Sequence, residues 1–168
     1  KIPVNPLSQM CLAVSPTDKL RLCSPTSLTM ALQALGVKAE PLQTASAVYD
    51  DRARIYGNWT LNTAYASRLG CEAFVTRFQR LSQLGEFLTP QSLVLATVAY
   101  KRGELAGAAA AQTPGHLVLL CGWENGKIRV ADPAAETAKE VIRFYDAAEF
   151  ARAWLMHKRG AAYLVRKL

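Results

Sequence analysis

Residues 23–36, with the sequence CSPTSLTMALQALG, form the most regular segment of the chain. Apolar residues recur there at the spacing of one helix face, which predicts an α-helix. Pro25 suits the first turn of this helix, and Gly36 suits the left-handed position just after its last turn. The helix therefore begins at or just after Cys23.

Further elements are predicted on both sides of this segment. Helices are expected at 60–69, 80–88 and 146–156, the last with Asp146 as N-cap and Glu149 completing a capping box. Strands rich in Val, Leu and aromatic residues are expected at 92–100, 116–123, 127–132 and 161–166, and Asn125-Gly126 indicates a hairpin. Residues 1–22 are predicted to form an extended arm, and 103–115 a flexible loop. Because helices precede strands, the pattern predicts an α+β fold with N-terminal helices packed on an antiparallel sheet.

Length and composition limit the classes of protein to consider. With 168 residues, 51% hydrophobic and 20% charged, the chain is predicted to be one globular domain, residues 1–168. Its formal net charge is +7, but the basic residues come in scattered pairs, so nucleic-acid binding is disfavoured and a solvated surface is favoured. No apolar run reaches the roughly 18 residues of a membrane span, so no integral membrane segment is predicted.

The four cysteines stand at 11, 23, 71 and 121, without CxxC spacing, and there are only two histidines. A metal site is therefore not predicted, whereas one disulfide remains open. Among the cysteines, Cys23 alone is expected at a helix N-terminus, where free N–H groups and the helix dipole stabilise a thiolate. The alternative is that Cys23 is a small buried apolar residue beside the helix.

A nucleophilic thiol needs a base. His116 opens an apolar strand where its side chain can face a cleft, whereas His157 lies in the basic run 156–160, which favours a solvated turn. We therefore favour His116 over His157 as the base. A histidine simply satisfied at a strand end is the alternative.

Asp132, in Ala131-Asp132-Pro133, ends the strand across the hairpin from His116 and is the candidate that orients the imidazole. A strict two-residue loop at Asn125-Gly126 pairs even-numbered with odd-numbered residues, which places His116 and Asp132 on opposite faces. A one-residue bulge or an odd-length loop restores a common face. The hypothesis therefore predicts such an irregularity; an Asp-Pro turn without catalytic meaning is the alternative.

Acyl transfer through a thiol also needs donors for the developing oxyanion. The backbone N–H of Cys23 is one candidate. Gln9 is the candidate side-chain amide from the N-terminal arm, although it can equally be an ordinary loop residue.

The segments Ser8-Gln9-Met10, Cys23-Ser24-Pro25-Thr26-Ser27, His116-Leu117-Val118 and Ala131-Asp132-Pro133 occur in an order and at intervals that resemble a known family. The chain is similar to papain-like cysteine peptidases related to the bacteriocin-processing, double-glycine-leader peptidases, especially their stand-alone bacterial members. Residues 57–66, with Gly57-Asn58-Trp59, and the pair Phe150 and Trp154 extend the resemblance over nearly the whole chain.

This resemblance implies a papain-like fold with Cys23 as nucleophile, His116 as base and then acid, Asp132 as orienting acid and Gln9 as oxyanion donor. It implies no cofactor, a peptide or protein substrate, and a secreted or periplasmic location, which also fits the start without Met; a cytoplasmic location stays open. Ser24 departs from the Gly that many relatives have after the nucleophile.

Two alternatives to a peptidase remain. One is a non-catalytic peptide-binding domain that uses the same cleft, and the other is an acyltransferase that passes the thioester to an amine. The joint presence of cysteine, histidine and acid favours catalysis, and selective labelling of one thiol near pH 6 distinguishes an enzyme from a binding domain.

Overall fold

The computed structural model describes residues 1–168 and contains six α-helices and six β-strands. The helices are α1 (Pro16–Lys19), α2 (Cys23–Ala34), α3 (Pro41–Val48), α4 (Trp59–Arg68), α5 (Leu84–Phe87) and α6 (Ala147–Ala151). The strands are β1 (Cys71–Arg77), β2 (Ser92–Tyr100), β3 (Thr113–Glu124), β4 (Lys127–Ala131), β5 (Ile142–Asp146) and β6 (Ala161–Lys167). Short 3₁₀ turns lie at Gln9–Cys11, Leu81–Gln83 and Ala138–Glu140, and a π-helical turn at Arg152–Met156 follows α6.

The strands form one sheet in the order β1-β6-β2-β3-β4-β5, and every neighbouring pair is antiparallel. The predicted α+β architecture with an antiparallel sheet is therefore confirmed. The longest helix has 12 residues, and none has the length and apolarity needed to cross a bilayer.

Helix α2 begins at Cys23 and has Pro25 in its first turn, where a missing N–H costs no helical hydrogen bond. Gly36, with φ +80°, follows the last turn in the left-handed region that favours glycine. The helix packs against β3, and the Ser27 hydroxyl donates to the Leu117 carbonyl at 3.0 Å. This contact fixes the start of α2 next to the start of β3.

Two apolar clusters cover the two faces of the sheet. The first lies between α2 and one face, and includes Leu28, Met30, Leu32, Leu95 and Leu119. The second lies on the other face beneath α6 and the π-helical turn, and includes Val118, Val130, Tyr145, Phe150 and Trp154. Alternating residues of the central strands therefore point into different cores, as the period-two geometry of a strand requires.

Two predicted helices are partly wrong. Residues 80–88 form a 3₁₀ turn followed by the single turn of α5, where Gly85 is a poor helix former. Asp146 does cap α6 by accepting from the N–H groups of Ala148 and Glu149. Glu149 does not close a capping box, because its carboxylate accepts from Ala106 N–H at 2.8 Å instead, and the helix becomes π-helical at Arg152.

Other elements are absent from the sequence prediction. The sequence pattern predicts neither helix α3 nor strands β1 and β5, and these two strands form the edges of the sheet. Edge strands carry mixed buried and exposed residues, so they lack the apolar runs that reveal central strands. Strand β3 starts at Thr113, inside the predicted loop 103–115, and the predicted arm 1–22 includes the short helix α1.

Candidate active site

Cys23 is the first residue of α2 and is half-buried. Burial acts to raise the pKa of its thiol, but the hydrogen bond and positive charge of His116, together with the backbone N–H groups of Leu117 and Ser24, outweigh burial. The pKa of Cys23 therefore lies below the ordinary thiol value, and a thiolate is favoured at this helix start.

His116 lies in β3, with a side chain only 7% exposed. Its Nε2 is 2.7 Å from Oδ1 of Asp132, so Nδ1 is the nitrogen available to the Cys23 thiol. Burial acts to lower the pKa of His116, but the charge and hydrogen bond of Asp132 and the contact with Cys23 raise it above the ordinary histidine value. The imidazolium is thus stabilised between two acidic groups.

Asp132 is almost fully buried and accepts three hydrogen bonds. Oδ1 accepts from His116 and from the N–H of Ala134 at 3.0 Å, and Oδ2 accepts from the Tyr145 hydroxyl at 2.7 Å. Burial acts to raise the pKa of Asp132, but the charge of His116 and these donors keep it below the usual value. The carboxylate therefore stays ionised and fixes the plane of the imidazole.

The predicted bulge in the hairpin is present. Glu124 pairs with Lys127 around the two-residue turn, and this register continues as far as Gly122 and Arg129. Beyond it, Leu120 pairs with Val130, so Cys121 is the extra residue. This shift of one residue turns His116 and Asp132 to the same face of the sheet, as the hypothesis required.

Tyr145, which sequence analysis did not single out, belongs to this arrangement. It pairs with Ile128 across β4 and β5, so its side chain lies on the face that carries Val130 and Asp132. Burial and the charge of Asp132 raise the pKa of Tyr145, so it stays a neutral donor. Its strand, Ile142–Asp146, is an edge strand without an apolar run or a neighbouring hairpin turn signal, so the sequence gives no indication of Tyr145.

A second set of polar side chains holds the start of α2 through hydrogen bonds to Ser24. The Ser24 hydroxyl donates to Oδ1 of Asn62 at 2.9 Å and lies 3.0 Å from the Tyr163 hydroxyl, and all three side chains are buried. Asn62 in turn donates to the carbonyls of Tyr56 and Asn58. The segment 57–66, which extends the resemblance described above, therefore holds the residue that follows Cys23.

Gln9 is buried at the start of a 3₁₀ turn, and its hydrogen bonds connect it to the residue after Asp132 and to the segment before Cys23. Its backbone N–H donates to the Pro133 carbonyl at 2.9 Å, and its side-chain amide donates to the Lys19 carbonyl at 2.6 Å. One amide hydrogen remains for another acceptor. Gln9 does not line the cleft next to Cys23, so its role as oxyanion donor stays a prediction.

The remaining cysteines and the second histidine lie in other settings. All four cysteines are free, so the disulfide left open by the sequence is absent. Burial raises the pKa of Cys71, and raises that of Cys121 to about 11, whereas Cys11 is exposed. His157 is exposed, and its Nδ1 donates a hydrogen bond to the Ala99 carbonyl. No cluster of His, Cys, Asp and Glu could hold a metal ion.

A small open cleft of about 200 Å³ lies over the thiol and the imidazole. Its lining comes from the starts of α2 and α4, from strands β2, β3 and β6, and from the segment after the π-helical turn. The lining residues are Cys23, Ser24, Gly57, Trp59, Thr97, Gly115, His116, Leu117, Lys158 and Tyr163. Cys23 and His116 both line this cleft, so a carbonyl group that enters it can meet the thiol and the imidazole together.

Fold and site together define the class of papain-like proteins with a Cys-His-Asp arrangement. Residues 1–162 match the model of the peptidase C39-like family, so the chain belongs to that family. None of the curated protein sequences matches it.

Solved structures of peptidase domains share the fold. The double-glycine-motif protease of an AMS/PCAT transporter, in complex with its leader peptide, has a TM-score of 0.67 at 16% identity, covering 100% of this chain and 94% of that one. A C39-like peptidase from Bacillus anthracis has a TM-score of 0.66 at 16% identity, covering 98% and 95%. The peptidase domain of Streptococcus ComA has a TM-score of 0.64 at 15% identity, covering 100% of both chains. The predicted papain-like fold is therefore confirmed.

Proposed function

We propose that this protein is a cysteine peptidase that hydrolyses peptide bonds through a thioester on Cys23. His116 is the general base and then the general acid, and Asp132 orients its imidazole. The observation that carries the proposal is that Cys23 and His116 line one cleft, with Asp132 bound to His116 at 2.7 Å and with opposite pKa displacements of the thiol and the imidazole.

The proposed reaction has two steps. The Cys23 thiolate attacks the carbonyl carbon, a C–S bond forms, and the carbonyl electron pair moves onto oxygen. The tetrahedral intermediate collapses with cleavage of the C–N bond, and the leaving amine takes its proton from the His116 imidazolium. Water then attacks the thioester, gives a proton to neutral His116, and releases the acid as the C–S bond breaks.

The oxyanion is proposed to be held at the start of α2. The backbone N–H of Cys23 belongs to the first turn, where N–H groups have no helical acceptor. Gln9 is the proposed second donor, through the amide hydrogen that the Lys19 carbonyl leaves free. Removing one such donor costs about 10²- to 10³-fold in kcat in a well-studied protease.

The proposed substrate is a peptide, or an extended segment of a protein. Family membership and the open cleft beside Cys23 support it, as does the leader peptide bound in the related double-glycine-motif protease.

Incubating the purified protein with a peptide library and detecting new termini by mass spectrometry tests the proposal. Cys23→Ala is the blank, and Cys11→Ser is the matched control, because it removes an exposed thiol away from the cleft. Cleavage by the wild type and Cys11→Ser but not by Cys23→Ala supports a peptidase. Equal cleavage by Cys23→Ala would overturn the assignment of the nucleophile.

A further inference from the structure

Lys158 is one of the residues that line the cleft with Cys23 and His116. Its Nζ is 3.6 Å from the position that a Cβ on Gly115 would occupy, and Gly115 immediately precedes His116. The side chain is half-buried, whereas its neighbours His157 and Arg159 are exposed. A cationic group therefore stands within the space that a bound substrate enters.

This ammonium has no anionic partner in the protein. The ion pairs of the structure are Arg21–Asp18, His116–Asp132, His157–Glu104 and Arg166–Glu72, and none includes Lys158. Its one polar contact is a long 3.5 Å approach to the Pro114 carbonyl. An ammonium has three donors, so Lys158 retains the capacity to bind an anion.

The backbone around Lys158 is unusual and firmly held. It follows the π-helical turn Arg152–Met156, and the next two residues, Arg159 and Gly160, have φ +52° and +67°. A Cβ on Gly160 would overlap the Phe78 carbonyl, and the Gly160 carbonyl accepts from Phe78 N–H at 2.9 Å. π-helical turns are rare in proteins as a whole, but those that occur are often found at functional sites. A non-glycine residue in the left-handed region, such as Arg159, carries backbone strain. These features set the position of Lys158 at the cleft.

We propose that Lys158 is a specificity-determining residue that binds a substrate carboxylate close to the scissile bond. The inference rests on the proposed function, because the carboxylate is placed relative to the carbonyl that Cys23 attacks. The carboxylate can come from an Asp or Glu side chain, or from the C-terminus of a short peptide, and the two sources share the same recognition chemistry.

Alkylation of Cys23 tests the charge preference without requiring peptide cleavage. Iodoacetate and iodoacetamide differ chiefly in the carboxylate, and each forms an S–C bond with release of iodide. The rate constant for iodoacetate at Cys23 is divided by that for iodoacetamide, both measured by mass spectrometry of the Cys23 peptide. A higher ratio reports a stronger preference of the cleft for the carboxylate.

Lys158→Met keeps the apolar stem and removes the charge, so the ratio should fall about 10-fold, as expected for loss of one charged hydrogen bond. Lys158→Glu should lower it further. Lys38→Glu changes the net charge as Lys158→Glu does, but Lys38 follows the C-terminal end of α2, a helix about 18 Å long that begins at Cys23, so this variant should leave the ratio within about twofold. Equal ratios in the wild type and Lys158→Met would overturn the inference.

Peptides then distinguish the two sources of the carboxylate. A cleaved peptide is prepared with Glu or Gln at each position flanking the scissile bond, and with a free acid or an amide at its C-terminus. We expect one acidic version to have a kcat/KM at least about 10-fold above its neutral counterpart in the wild type and in Lys38→Glu, and we expect Lys158→Met to reduce that ratio to within about twofold of one. A Lys158-independent preference would contradict the inference.

Failure of this inference differs from failure of the proposed function. If Cys23 is not activated, both alkylating agents react slowly in every variant, and the peptidase proposal fails. If Cys23 reacts rapidly with iodoacetamide but Lys158→Met leaves the ratio unchanged, only the role of Lys158 fails.

Discussion

At the scale of single residues, Cys23 and His116 stabilise each other's charged forms. The pKa of the thiol is displaced downwards and that of the imidazole upwards, so the thiolate–imidazolium pair is favoured over the neutral pair. Activity should rise as Cys23 loses its proton below the ordinary thiol range. It should fall at high pH as His116 loses the proton that the leaving amine needs.

This pair predicts a fast thiol reaction at pH 6. Cys23 should react with iodoacetamide about 10- to 100-fold faster than a free thiol, which is less than about 1% ionised at that pH. In His116→Ala the advantage should disappear, because the thiol loses the hydrogen bond and charge of His116 and only the backbone N–H groups of Leu117 and Ser24 then oppose the effect of burial. Mass spectrometry of each cysteine peptide over time measures both rates.

Cys71 and Cys121 are internal controls in the same experiment. Both are buried with raised pKa values, so both should stay unmodified while the protein is folded. Labelling of either at the rate of Cys23 would contradict the assignment of Cys23 as the activated thiol.

Asp132 makes a second prediction at this scale. Asp132→Ala should lower kcat/KM by about 10²- to 10⁴-fold, because the imidazole loses its orienting acceptor. Asp132→Asn should lose less. An amide oxygen can keep the bonds from His116 and Ala134, and the amide N–H₂ can donate to the Tyr145 hydroxyl, which accepts as well as donates.

Tyr145→Phe tests that explanation. Alone, it removes one donor to the carboxylate and should cost about 3- to 10-fold in kcat/KM. Combined with Asp132→Asn it should cost more than the product of the two single effects, because the amide N–H₂ then has no partner. An Asp132→Asn variant as inactive as Asp132→Ala, with unchanged stability, would show that the negative charge itself is required.

Cys23 and Asp132 could be predicted from the sequence because each stands at an element boundary with a local signal, and His116 because it is the histidine next to an apolar run. Pro25 and Gly36 delimit the helix of Cys23, Pro133 ends the strand before it, and Asn125-Gly126 fixes the hairpin. Tyr145 and Asn62 have no such signal, because only the folding of distant segments brings them to Asp132 and Ser24.

At the scale of elements, the bulge at Cys121 connects the register of the sheet to the site. The Cys121 carbonyl accepts from Ile2 N–H at 2.8 Å, and the buried Arg129 donates to its Sγ and to the Ile2 carbonyl. The N-terminal arm therefore holds the bulge in place. If His116 and Asp132 share a face, the even and odd residue numbers paired across the hairpin require one extra residue in a strand. The sequence does not show where that residue lies, because its position depends on these distant contacts.

The turn at Arg159-Gly160 makes a prediction about stability at this scale. Gly160→Ala should lower the free energy of unfolding by more than about 3 kcal/mol, because the left-handed backbone and the collision with the Phe78 carbonyl both oppose a side chain. Gly126→Ala is the matched control: its φ is also positive, but nothing lies within 4 Å, so about 1–2 kcal/mol is expected. Denaturant unfolding measures both, and equal losses would contradict the collision.

At the scale of the whole molecule, the sheet separates two apolar cores, and Cys23, His116 and Asp132 lie near the start of α2, the start of β3 and the end of β4. The central strands were predictable from their apolar runs, whereas the edge strands β1 and β5 were not. The order of the strands depends on long-range pairing, which local sequence does not specify.

The buried pair of His116 and Asp132 makes the stability of the whole protein depend on pH. The pKa of Asp132 is lowered by folding, so its stabilisation is complete above the ordinary value of 3.8 and is lost as pH falls through the folded pKa. The pKa of His116 is raised by folding, so its stabilisation is complete below the ordinary value of 6.5 and is lost as pH rises towards the folded pKa.

The two signs define one window, so the destabilisation caused by Asp132→Asn should be greatest between about pH 4 and 6.5. It should shrink on either side, since acid protonates Asp132 in the wild type and alkali neutralises His116. Denaturant unfolding of both proteins from pH 3 to 9 measures this difference, and Cys23→Ala in both backgrounds removes the contribution of the thiolate. A difference that is constant with pH would mean that Asp132 contributes only packing and neutral hydrogen bonds, and that the ion pair with His116 does not stabilise the fold.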